Sequence, residues 1–152
     1  MFLVGDFLFK FIPAKESDSS WLNNVIKNQF PYTVFCEHDI SQKISDNSFF
    51  IWVSYLNNIP LGFVEAEFLE NSSCRLNAVW VEDSFRRQKI GSTLVKKVIR
   101  ECMKRNYEKL FLLVKEENFG AKELYKSMGF VFDSMHDKIL DNSSVEVWIK
   151  KI

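Results

Sequence analysis

Proline and glycine are scarce in this chain, with 3 and 5 residues among 152. That excludes collagen-like and Pro/Gly-rich low-complexity architectures, and no stretch reads as a linker between domains. Cysteine is as sparse: Cys36, Cys74 and Cys102 are odd in number and widely spaced. They form neither a disulfide framework nor a metal-ligand pattern, so a reduced, cytoplasmic protein without a bound metal is expected. Net charge is absent too, since 20 basic side chains balance 20 acidic ones. No global field draws the chain to nucleic acid or to an anionic membrane, and neither is expected as a partner. No apolar run is long enough for a membrane span. Residues 1–12 are apolar enough for a signal peptide, but Asp6 and Lys10 interrupt them and no small-residue cleavage site follows.

Hydrophobic residues, by contrast, make up 47% of the chain, and 15 of them are Phe. This composition predicts an aromatic core rather than disorder. The length fits one domain, 1–152, able to bury about two-thirds of its unfolded surface.

The pattern along the chain changes once. Strands are expected over residues 7–12, 49–55, 61–68 and 74–81, with Asn57-Asn58 marking a hairpin. Trp21, Leu22, Val25, Ile26 and Phe30 give an early helix its apolar face, and residues 39–45 suggest a second, shorter one. Beyond Val81 come a helix over 90–105, a strand over 110–114 and a helix over 119–128, so that the strand over 74–81 opens a strand–helix–strand unit. Gly129 suits the left-handed position that ends a helix. Strands over 130–135 and 145–149 complete the series. This order predicts an α/β protein with a mixed, mostly antiparallel sheet of six to seven strands and four flanking helices.

The most informative stretch is Arg86-Arg87-Gln88-Lys89-Ile90-Gly91-Ser92, which joins a strand to the long amphipathic helix. Such a turn presents unpaired N–H groups at the positive end of a helix dipole, beside cationic side chains. That is an anion site, with phosphate as its usual occupant. Gly91 lets an oxygen approach the main chain without meeting a Cβ. Ser92 and Thr93 add hydroxyls. A second constellation follows the next strand: Asn118, Ala121, Leu124, Tyr125, Gly129 and Phe130.

Together these two motifs resemble the GNAT superfamily of acetyl-coenzyme A-dependent N-acetyltransferases. The second motif is complete. The first has Arg86 and Gly91 in place, with Lys89 where the family carries its first Gly. The resemblance implies the GNAT fold, with a splayed pair of strands around acetyl-CoA. It implies that the loop from Arg86 through Arg87, Gln88, Lys89, Ile90, Gly91, Ser92 and Thr93 holds the pyrophosphate. It further implies that the main chain of Val79 and Val81 pairs with the pantetheine arm, as a missing strand would. Asn118 would hydrogen-bond that arm, and Tyr125 would protonate the departing thiolate. If Lys89 needs a positive φ, it costs about 1 kcal/mol relative to Gly.

The acceptor implied is a primary amine: a protein or peptide N-terminus, a lysine, or a small molecule. It must be neutral to attack. Glu65 and Glu67, on one strand face, are the carboxylates proposed for a water-linked base. His38 and His136 are the other groups of suitable pKa. A competing expectation is a GNAT-like module that binds acyl-CoA without transfer, which Lys89 favours and Tyr125 disfavours. Monomer and homodimer both remain open.

Overall fold

The computed structural model describes residues 2–4, 7–30, 37–140 and 142–152, with side chains for all of these except 2–4, 7, 37 and 38. Cys36, the His38 side chain and Asp141 lie outside the described residues. The strands are β1 (Phe2–Val4), β2 (Phe7–Pro13), β3 (Phe49–Leu56), β4 (Ile59–Phe68), β5 (Ser73–Val81), β6 (Lys109–Lys115), β7 (Val131–Leu140) and β8 (Ser143–Lys151). The helices are α1 (Ser19–Gln29), α2 (Glu37–Ser45), α3 (Ile90–Lys104) and α4 (Phe119–Ser127).

Among the described residues one sheet carries all eight strands, in the order β1-β2-β3-β4-β5-β6-β8-β7. Six to seven strands were expected, and the additional one is β1. It is three residues long, too short to show alternation in the sequence. Every pairing is antiparallel except β5 with β6. Asn57 and Asn58 both take positive φ, 50° and 65°, as a tight hairpin turn between β3 and β4 requires.

Alternation along the strands divides the core into two layers. On one face Val64, Ala66, Leu76 and Leu112 pack beneath α3 through Leu94, Val95 and Val98. On the other, Val53, Tyr55 and Phe63 pack with Leu22 and Val25 of α1 and Ile40 of α2. Cys74 and Cys102 are both fully buried in the first layer. Their mutual hydrogen bond, reinforced by burial, pushes the Cys74 thiol up. Among the described residues no helix is long and apolar enough to cross a membrane.

Asp18 ties α1 to the sheet. Its carboxylate accepts the Lys15 amide at 2.7 Å and the Tyr55 hydroxyl from β3. Burial, then this bond, push the Tyr55 phenol well above its ordinary 10.0.

The outermost strand, β7, is exposed along most of its length, with Val131, Phe132, Met135 and Ile139 all about half or more exposed. Its register against β8 slips twice, between Phe132 and Ser134 and between Met135 and Ile139. These slips carry the strand to Leu140, past the end expected at residue 135.

Candidate active site

Parallel pairing of β5 with β6 runs from Ser73↔Lys109 to Leu76↔Leu112 and then stops. Both strands continue, β5 to Val81 and β6 to Lys115, without pairing to each other. The break coincides with an irregularity in β5. Glu65 of β4 pairs with Ala78 and Ala66 with Leu76, so Asn77 is an extra residue, a β-bulge. The bulge reverses which side chains face which layer. Cys74 and Leu76 pack toward α3, and beyond Asn77 it is Val79 and Val81 that do so, while Ala78 and Trp80 join the α1–α2 layer.

The separated strands open into a cleft of about 1000 Å³, bounded also by the loop before α3 and by α4. Val79, Val81, Arg86, Arg87, Lys89, Ile90, Gly91, Ser92, Asn118 and Tyr125 all lie along its wall. The fold thus gathers residues from β5, the α3 loop and α4 around one space. Gln88, Thr93, Glu65 and Glu67 are not part of that wall.

At the head of α3, Lys89 is the N-cap residue, with φ 63° and ψ 16°, and its side chain makes no capping bond. The leading amides of a helix have no intrahelical acceptor, and Ile90, Gly91 and Ser92, which follow Lys89, line the cleft. Ser92 Oγ and Thr93 Oγ1 donate back to the Lys89 carbonyl, at 3.0 and 2.7 Å. Their hydroxyls brace the left-handed residue. A Cβ at Gly91 would meet only Leu124 and Val81 side chains, at 3.7 and 3.8 Å. The protein itself therefore has room for one there, and the glycine keeps the space beyond open. Arg86 is exposed but held at both ends of its guanidinium: Nε donates to the Val81 carbonyl at 3.0 Å and Nη2 pairs with Asp83 at 3.0 Å. Arg86 thus fastens the loop to the end of β5.

Asn118 is the N-cap of α4 and its Oδ1 accepts the Ala121 amide at 3.2 Å. At the other end of α4, Gly129 has φ 90°. Its amide reaches the Lys126 carbonyl, and the Phe130 amide the Tyr125 carbonyl, both at 3.0 Å. This double closure fixes the last turn. Tyr125 is buried, 8% exposed, with its ring centroid 5.7 Å from that of Phe130.

Glu65 and Glu67 are engaged with neighbours. Glu65, 7% exposed, pairs with Lys43 of α2 at 3.2 Å and accepts the Asn77 side-chain amide at 2.8 Å. Glu67 pairs with Arg75 at 2.6 Å. His136, on β7, accepts the Lys138 amide through Nδ1 at 3.0 Å. Among the described residues, the charged members of the cleft wall are all cations: Arg86, Arg87, Lys89, Lys96 and Lys115. Sequence reasoning missed Trp80, Lys96, Leu113 and Leu140 as parts of this wall. The phase change in apolar spacing, from Cys74 and Leu76 to Val79 and Val81, is the one sequence signal that points to the bulge.

Residues 16–130 match the model of the acetyltransferase (GNAT) family. The chain belongs to that family. Over 94 residues it is 34% identical to an N-acetyltransferase of Methanocaldococcus jannaschii named as uncharacterised, covering 58% of this chain but only 41% of that protein. The fold matches the Escherichia coli ribosomal-protein-S18-alanine N-acetyltransferase with a TM-score of 0.80, at 17% identity over 95% of this chain and 94% of that one. It also matches the PaiA N-acetyltransferase of Thermoplasma acidophilum, solved with coenzyme A. The TM-score there is 0.76, at 16% identity over 95% of this chain and 99% of the other.

Proposed function

We propose that this protein is an N-acetyltransferase, passing the acetyl group of acetyl-CoA directly to a primary amine within a ternary complex. The observation that carries the reading is the end of β5–β6 pairing at Leu76 and Leu112, beside an α3 N-terminus whose N-cap residue, Lys89, makes no side-chain capping bond. Unpaired strand backbone suits an amide-bearing arm, and free helix amides suit a diphosphate. The residues present therefore fit coenzyme A. Main-chain donors after Lys89 would take the pyrophosphate, with Arg87, Lys89 and Lys96 as cations at the rim. The backbone around Val79 would take the arm. Acetyl-CoA supplies an activated thioester. Asn118 and the β5 backbone orient the reactants, and the buried Tyr125 hydroxyl holds a proton to give to the leaving sulfur. A phenol near 10 gives a stronger hydrogen bond as charge builds on a thiolate near 8.5.

The acceptor must arrive, or become, neutral. At pH 7 an α-amine near 8 is neutral in about one molecule in ten, and a lysine amine near 10.4 in about one in 2,500. Among the described residues the cleft wall holds no carboxylate to take a proton from the amine. This favours an α-amine, that of a peptide or protein N-terminus, over lysine.

The test is coenzyme A release, measured across pH 6–9, with a peptide bearing a free N-terminus and with an N-terminally blocked lysine peptide. The α-amine should react faster at pH 7, and the gap should narrow as pH rises. Tight acyl-CoA binding with no amine-dependent release would overturn transfer in favour of a binding module. A lysine peptide that reacts faster at pH 7 would overturn the acceptor class.

A further inference from the structure

The bulge at Asn77 lies one residue beyond Leu76, the last β5 residue paired with β6. A bulge leaves its extra residue without ladder bonds and normally weakens the sheet around it. Here a chain of side chains on the α2 face takes hold of it. Asn77 Nδ2 donates to Glu65 Oε2 at 2.8 Å, and Asn77 Oδ1 accepts from Arg75 Nε at 2.7 Å. Arg75 Nη2 reaches Glu67 Oε2 at 2.6 Å, and Lys43 Nζ lies 3.2 and 3.3 Å from the two Glu65 oxygens. Two carboxylates thus face two cations, and both polar ends of the amide are occupied.

We propose that Lys43, Glu65, Asn77, Arg75 and Glu67 form a clamp that fixes the β5 bulge and thereby holds open the slot between β5 and β6. Its members are positioning residues that act on coenzyme affinity through the β5 backbone. This rests on the coenzyme-binding reading above. The physical reason is register. If Asn77 slipped back into the ladder, Val79 and Val81 would exchange faces with Ala78 and Trp80. The clamp resists that slip because it would leave the buried Glu65 and the half-buried Asn77 with unmet bonds. It also ties α2, through Lys43 and Glu65, to β4, the neighbour of β5.

A swap tests it. Glu65→Gln alone removes the carboxylate that holds both Lys43 and Asn77. Asn77→Asp alone sets a second carboxylate against Glu65. Together they restore the pattern in reverse, since a glutamine at 65 donates to an aspartate at 77, which still accepts from Arg75. Coenzyme A affinity by calorimetry and hydrogen exchange of the amides at 78–81 are measured for all four proteins, along with the pH profile of kcat/KM. Each single variant should bind coenzyme A about tenfold more weakly and exchange faster, and the double variant should recover both. A single variant that fails to fold while the double variant folds and binds also supports the clamp. Single variants that bind and exchange like the wild type, or a double variant that recovers neither property, overturn it. So does loss of the pH dependence in Glu65→Gln, which would make Glu65 the base. A wild-type protein that binds no coenzyme A sinks the proposed function, while the exchange data still decide the clamp.

Discussion

Leu76 of β5 and Leu112 of β6 are the last residues across which the two central strands pair, and both are nearly fully buried. The sheet is therefore whole in its lower half and divided in its upper half. The division comes at the point where α3 presents its amides. Among the described residues five cationic side chains line the cleft beside that helix end, and the proposed coenzyme reading shapes what mutation should do.

Gly91 sits where the first turn of α3 meets the cleft. Gly91→Ala fits the ordinary contacts with Leu124 and Val81, at 3.7 and 3.8 Å, and should bind coenzyme A nearly as well as the wild type. Gly91→Val adds two methyls where Leu124 and Val81 already lie at contact distance, beside the helix amides proposed to hold the diphosphate. It should cost about ten- to a hundredfold in coenzyme affinity, measured calorimetrically, with the melting temperature little changed. Unchanged affinity would place the diphosphate elsewhere.

Lys89 holds φ 63° at the position where the family motif has Gly. Lys89→Gly relieves left-handed strain of about 1 kcal/mol, so thermal stability should hold or rise. Coenzyme binding should stay level or tighten. A loss beyond about tenfold would show that the ammonium is a phosphate ligand in its own right.

Tyr125 is the proton donor of the proposed transfer. Tyr125→Phe should lower kcat by about a hundredfold and leave the coenzyme dissociation constant within about twofold. The ring keeps its place against Phe130, 5.7 Å away, so the fold should survive. Equal turnover in the two proteins would remove Tyr125 from the mechanism.

Tyr55 predicts an alkaline limb of stability. Its folded phenol titrates above the ordinary 10.0, through burial and the Asp18 bond. The stabilisation is fully present below about pH 10 and is lost above it, where the unfolded chain ionises and the folded one does not. Tyr55→Phe should be less stable at pH 7 by about 1–2 kcal/mol, having left Asp18 short of a donor. Its stability should fall less steeply between pH 10 and 11, as followed by denaturant melts.

Much of this was legible in the residues. The asparagine pair of the β3–β4 hairpin, the apolar stripe of α3 and Gly129 after α4 each obey local rules that need no tertiary context. The six motif residues spread from Asn118 to Phe130 marked α4 through the family resemblance. What was not legible depends on residues far apart in sequence. Lys43, Glu65 and Asn77 meet only once α2, β4 and β5 are folded together. Spacing alone put Glu65 and Glu67 on one strand face, but the salt bridges that engage them are tertiary facts. Arg86 carried a phosphate-facing expectation because its charge is visible in sequence, whereas its bond to the Val81 carbonyl is not. β7 outran its expected end because two register slips hide its alternation.

Those slips in β7 have a consequence for the protein in crowded solution. An exposed terminal strand with bare Val131, Phe132, Met135 and Ile139 is a ready seed for fibrils, because another chain can add to it rung by rung. Rungs must be evenly spaced for that growth to propagate. β7 breaks its own spacing twice and sets Asp133 and Lys138 among its apolar residues, so a stranger's strand finds no straight template to copy.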